Sequence, residues 1–147
     1  MLNKILVAVD GSKHSMRALE FASELAKKFD AALLVLSVYR HYSAAESSHS
    51  LVKTREDIVP SDIALSRLAQ DYVDEAVERA RELGAANVKG KVKRGQPSRT
   101  IVETAKEREA DAIVMGSRGL GDIGGLLLGS VSHKVSSLAE CTCITVK

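Results

Sequence analysis

The chain has 147 residues, 45% of them hydrophobic and only two of them proline, which suits one globular domain in the roughly 100 to 200 residue range. Lysine and arginine number 21 against 19 aspartate and glutamate, a formal net charge of +2, so the balance points to no nucleic acid and to no polyacidic partner. Aromatics are 3%, too few to suggest a base-stacking platform; with no leader pattern and no apolar run near the roughly 18 residues of a membrane span, the expectation is a soluble cytoplasmic protein.

In chain order, "KILVAV" (4–9) is a short apolar run that reads as a first strand, punctuated by "DGS". Ala18, Leu19, Ala22, Leu25, Ala26 and Phe29 then recur at three- and four-residue steps, the pattern of an amphipathic helix. "AALLVLSVY" (31–39) is near-continuously apolar, as a strand covered on both faces should be. Residues 40–60, "RHYSAAESSHSLVKTREDIVP", form a long irregular connection, and such loops tend to be functional or mobile. A second helix carries Leu65, Leu68, Ala69, Tyr72, Ala76, Ala80 and Leu83 on one face, with Gly84 as its stop signal.

"VKGKVKR" (88–94) alternates Val and Lys, which marks a sheet edge or a half-exposed strand. A third helix is expected over 99–109, with Pro97 at its start and Ser98 or Thr100 near its cap. "DAIVMG" (111–116) is a fourth strand; Val131, Val135 and Leu138 mark a last helix, and "TCITVK" closes the chain as a fifth strand. Strands alternating with helices imply an α/β fold: a single-domain, doubly wound, five-stranded parallel sheet with helices on both faces, spanning residues 1–147. Cys141 and Cys143 share one strand face and read as ordinary buried thiols, since a disulfide between them requires distortion.

Ligands of doubly wound sheets sit beyond the carboxyl ends of the strands, where the strand order reverses. An order of 3-2-1-4-5 sets the first and fourth strands side by side there and brings Asp10 next to Gly116. Six of the ten glycines fall in "MGSRGLGDIGGLLLGSVSHKV" (115–135), directly after the fourth strand. "GLGDIG" (119–124) matches the dinucleotide fingerprint G-x-G-x-x-G, but no strand ending in an acid follows about 20 residues on. No phosphate-binding loop of the G-x-x-x-x-G-K type and no G-x-S-x-G elbow is present. What remains is a spacing of Gly116, two residues, Gly119, nine residues, Gly129 and then Ser130. Glycines at 116 and 119 let backbone approach ribose and phosphate, while Gly129 and Ser130 open a helix whose first amides can receive an anion.

That spacing, with "ILVAVDGS" at the start and "ADAIVMGSRGLGDIGGLLLGSVSHKV" near the end, resembles the universal stress protein family in its ATP-binding branch, along the whole chain. The resemblance implies ATP as ligand, with Mg2+ held through the phosphates. It implies that Asp10 bonds the ribose, that Val38 or its neighbour offers backbone groups to the adenine, and that Ala8 and Met115 line the base pocket. Gly116, Gly119, Gly129, Ser130 and Val131 complete the expected nucleotide-binding set. It also implies a homodimer through the apolar last strand, with higher oligomers and an unidentified protein partner open. One departure is Thr142, which stands where the family often has a proline.

Asp10 and Ser130 also fit plain helix caps. Arg118 and His133 are read as solvent-facing rather than as phosphate contacts, His14, His41 and His49 as surface residues, and Gly124 and Gly125 as loop. Apart from Asp122, no base stands near the glycine run to activate a water. The expected function is an ATP-binding regulatory stress-response protein with little or no hydrolysis, the alternatives being a slow ATPase or phosphotransfer switch and a nucleotide-free dimeric adaptor.

Overall fold

In the computed structural model of the protein, which describes residues 1–40, 61–120 and 128–147, the first apolar run forms β1 (Lys4–Ala8). It pairs in parallel with β2 (Ala32–Tyr39) on one side and with β4 (Ala112–Gly116) on the other. β3 (Val88–Arg94) joins the far side of β2, and β5 (Thr142–Val146) joins the far side of β4. The sheet is therefore parallel throughout in the order β3-β2-β1-β4-β5, as the alternation of elements predicts. The Val and Lys alternation of β3 reflects its edge position, whereas the interior strands are apolar on both sides because helices cover both faces.

Strand alternation sorts the core into two clusters. Ile5, Val7, Leu33, Val35 and Val114 turn toward α1 (Lys13–Phe29) and α2 (Asp62–Glu82). Leu6, Leu36, Ile113 and Met115 turn the other way, with Ile101 and Ala105 of α3 (Pro97–Glu107) and Val135 of α4 (Ser130–Leu138). Ile5, Leu6, Leu33, Leu36 and Ile113 are fully buried, each contributing about 1.5–3 kcal/mol relative to exposure. Arg79 of α2 reaches Glu20 of α1 and Glu82 of its own helix, and these bonds hold its guanidinium above its ordinary pKa.

The helix caps differ from the cap readings in three places, the third being Ser130, which is the first residue of α4 with Gly129 at the cap position. Ser12, not Asp10, caps α1 by accepting the Ser15 N–H, and Asp10 in turn accepts the Ser12 N–H. Gln96 caps α3 through its side-chain Oε1, which accepts the Arg99 N–H, while Ser98 lies buried in the first turn and donates its hydroxyl to the same Oε1. α3 also ends at Glu107 rather than 109, because Glu109 adopts a left-handed φ of 54°. Gly84, at φ +99°, terminates α2 as expected.

Three apolar side chains assigned to packing faces are exposed: Phe29 at 43%, Leu68 at 46% and Leu138 at 59%. On α2 the buried stripe runs through Ala69, Val73, Ala76 and Ala80, which leaves Leu68 about one residue's rotation off the core. Among the described residues no helix is long and apolar enough to cross a membrane.

Candidate functional site

At the carboxyl end of β1 the chain turns into α1 through Asp10, Gly11 and Ser12. Asp10 Oδ1 accepts the Ser12 N–H at 2.9 Å, and the Asp10 N–H donates to Ser15 Oγ at 3.3 Å. Ser15 Oγ donates onward to the Ser12 carbonyl at 2.9 Å. The other carboxylate oxygen, Oδ2, lies where Gly119 comes past: a Cβ on Gly119 would stand 2.7 Å from it. The strand order predicts Asp10 beside Gly116; the ends of β1 and β4 do come together, but the carboxylate meets Gly119, because the first turn of α1 fills the space at Gly116.

Gly116 has a reason within the protein itself. A Cβ there would stand 2.7 Å from the His14 carbonyl carbon and 2.9 Å from the Ser15 nitrogen. Glycine at 116 is what lets the first turn of α1 lie on the end of β4.

α4 begins differently from the other helices. α1, α2 and α3 have side-chain caps, from Ser12, Ser61 and Gln96, whereas α4 starts at Gly129 with no side-chain cap bond. Its ladder opens with the His133 N–H donating to Gly129 O at 3.0 Å, so the amides of Ser130, Val131 and Ser132 precede the ladder at the positive end of the helix dipole. Ser130 is exposed and Val131 half-buried.

Gly129 itself contributes differently from the expectation. Its N–H is spent on Ser117 O at 2.6 Å, and its φ of −71° with ψ of 169° is extended backbone open to any residue. A Cβ at 129 would stand 3.4 Å from both Arg118 Cα and Ser117 O, an ordinary contact, so the protein's own packing does not require glycine here.

Ser117 holds this corner together, and the sequence reading passed over it. It is 1% exposed. Its carbonyl accepts from Ser132 Oγ at 2.9 Å as well as from Gly129, and its N–H donates to Val146 O of β5 at 2.8 Å. Its hydroxyl stands 3.3 Å from His14 Nδ1, so His14, expected on the surface, is half-buried and bonded. A signal was available for two of the three: Ser117 directly follows Gly116, and Ser132 lies two residues past Ser130. His14 had none, because its partner is 103 residues away.

Of the expected nucleotide-binding residues, four fall on one side of the sheet. Ala8, Val38 and Val131 pack against the cluster that contains Met115, on the α3 and α4 side. Arg118 is half-buried and engaged in an interaction, and His133 is exposed. Asp122, Gly124, Gly125, His41, His49 and the connection over 41–60 lie outside the described residues.

The opposite end of the sheet has its own features. A cavity of about 230 Å³ lies between the ends of α3 and α4, lined by Val102, Ala105, Ala110 and Cys141, with Lys106 and Glu140 paired at 3.3 Å. Its walls are mostly alkyl, with the Cys141 thiol and the carboxylates of Glu109 and Glu140 among them. Cys141 and Cys143 are free thiols on the α3 and α4 face, and burial raises the pKa of both. Asp111 Oδ2 accepts the backbone N–H of Asn3 at 2.7 Å and of Lys4 at 2.9 Å. Those bonds, the one from Lys4 first, lower its carboxyl pKa below the ordinary value.

Comparison with known proteins agrees with this architecture. Residues 1–147 match the model of the universal stress protein family. The chain is 35% identical, over 156 residues and the full length of both, to the universal stress protein YxiE of Bacillus subtilis. Among solved structures it is similar to a universal stress protein in complex with cAMP, with a TM-score of 0.75 and 27% identity over 99% of this chain and 97% of that one. It is also similar to the universal stress protein of Archaeoglobus fulgidus in complex with dAMP, with a TM-score of 0.68 and 28% identity over the whole of both chains. With a matching sheet order, a family match along its full length and relatives of the same length, the chain belongs to the universal stress protein family.

Proposed function

We propose that this protein binds an adenine nucleotide, ATP with Mg2+ at its phosphates, in the crevice beyond the carboxyl ends of β1 and β4. The carrying observation is the uncapped start of α4, whose first-turn amides precede the helical ladder beside the strand end that meets Asp10. An uncapped helix N-terminus next to backbone stripped of side chains favours a phosphate. In this reading Ser130 and Val131 receive the phosphates, Gly119 and Gly129 lie beside them, Gly116 lets α1 approach the end of β4, and Asp10 accepts from the ribose hydroxyls. Ala8, Val38 and Met115 take the base against the α3 and α4 side of the sheet. The cAMP and dAMP complexes of structural relatives support the adenine nucleotide class.

The magnesium ion is carried in on the phosphates in this reading. The role is regulatory: nucleotide occupancy changes the surface offered to a partner protein in the cytoplasm, with little or no hydrolysis. β5 is an edge strand carrying half-buried Ile144 and Val146, and exposed strand edges of this kind tend to pair. It would join two copies in antiparallel fashion across a two-fold axis, giving a dimer mass by light scattering at micromolar concentration. The nucleotide reading is tested by mass spectrometry of protein purified without added nucleotide: release of an adenine nucleotide on denaturation supports it, and a different class of ligand overturns it.

A further inference from the structure

Every polar atom of Ser117 is in use. The N–H is held by β5, the carbonyl by Gly129 and Ser132 of the α4 start, and the hydroxyl by His14 Nδ1 at 3.3 Å. Three of these bonds are local to β4, β5 and α4, whereas the fourth reaches back to the first turn of α1. That same turn holds Asp10, through the Ser12 N–H and Ser15 Oγ. His14 therefore joins the Asp10 side of the crevice to the side where α4 begins. Gly116 leaves it no slack, because the backbone of His14 already fills the place of a Cβ on β4.

We propose that His14 is a positioning residue for the phosphate end of the site. By holding the Ser117 hydroxyl it fixes the Ser117 peptide, whose carbonyl orients Gly129 and Ser132, and so sets the angle at which the first turn of α4 meets a phosphate. The proposal rests on the nucleotide reading above. It differs from a packing role in one respect: packing supports all ligands of the site alike, whereas this linkage acts on the phosphates and leaves the adenine and ribose contacts alone.

The test uses His14→Leu, which keeps bulk and removes the hydrogen-bonding ring nitrogen, and His14→Asn, which returns a polar atom near the Nδ1 position. Ser117→Ala serves as a second route to the same loss. Without nucleotide, the Gly129 amide should exchange with solvent about fivefold to tenfold faster in His14→Leu, the worth of one hydrogen bond. In calorimetry, MgATP affinity should fall by a similar factor while adenosine affinity stays within about twofold, and His14→Asn should restore both readouts. Unchanged Gly129 exchange with unchanged MgATP affinity in His14→Leu overturns the proposal, and so does an equal loss for MgATP and adenosine. A parent protein that binds no MgATP overturns the nucleotide reading itself, even where Gly129 exchange responds to His14→Leu.

Discussion

A Cβ placed on Gly119 would stand 2.7 Å from Oδ2 of Asp10. The glycine after β4 and the carboxylate after β1 thus share one small space, although they are distant in sequence. A methyl group at 119 displaces the end of a flexible side chain rather than backbone, so the fold tolerates it while the carboxylate moves. Gly119→Ala should therefore lower adenine nucleotide affinity about tenfold, near 1.4 kcal/mol, with an unaltered circular dichroism spectrum. Titration calorimetry beside thermal melting measures both; a large fall in melting temperature would show that the glycine serves packing instead.

Gly116→Ala should behave in the opposite way. Its methyl group meets the backbone of His14 and Ser15 at 2.7–2.9 Å, and α1 must shift on β4 to admit it. Overpacking of this kind costs about 1–3 kcal/mol. For a domain near this size that lowers the melting temperature by about 2–4 °C per kcal/mol, which differential scanning calorimetry resolves.

The contrast between these two glycines shows what was legible in the sequence. The strands and helices were legible because apolar runs and stripes depend on local periodicity, and their alternation implied a parallel sheet covered on both faces. The strand order placed Asp10 beside Gly116, whereas its carboxylate meets Gly119, three residues further on. The internal reason for Gly116 was hidden, since the His14 backbone that fills its Cβ position belongs to a distant segment. Gln96 was missed as a cap because Ser98 and Thr100 are more usual cap types close by. Ser117 and Ser132 were passed over because a serine beside a glycine motif is common, and only the fold shows that a single carbonyl orients both Gly129 and Ser132.

Asp111 gives the fold a pH dependence. Its carboxylate accepts the backbone N–H groups that start β1, which lowers its pKa below the ordinary value. A carboxyl group with a lower pKa in the folded state contributes stability that is fully present above the unfolded pKa and lost as the pH falls through the folded one. Urea midpoints measured from pH 7 to pH 3 should therefore drop toward the acid end. Asp111→Asn should flatten that part of the profile and lower the midpoint at neutral pH; an unchanged profile would show that the contacts with Asn3 and Lys4 carry no weight.

At the start of α4, Gly129→Val should lower MgATP affinity more than tenfold, at least about 1.4 kcal/mol. The backbone at 129 accepts any residue, so the loss comes from bulk placed beside the 117–118 backbone and not from strain. Ser130→Ala should cost less, about 0.5–1.5 kcal/mol, because one hydroxyl goes while the first-turn amides remain. Both variants should keep the circular dichroism of the parent. A Gly129→Val protein that binds as the parent does would remove the α4 start from the site.

The central claim is that the crevice beyond β1 and β4 receives an adenine nucleotide and that the α4 amides engage its phosphates. The direct test is a calorimetric titration of the parent protein with MgATP and, separately, with adenosine. The predicted result is saturable heat with MgATP and much weaker binding of adenosine, the difference being the contribution of the phosphates. No heat and no thermal shift at millimolar MgATP, or equal affinity for the two ligands, would contradict it.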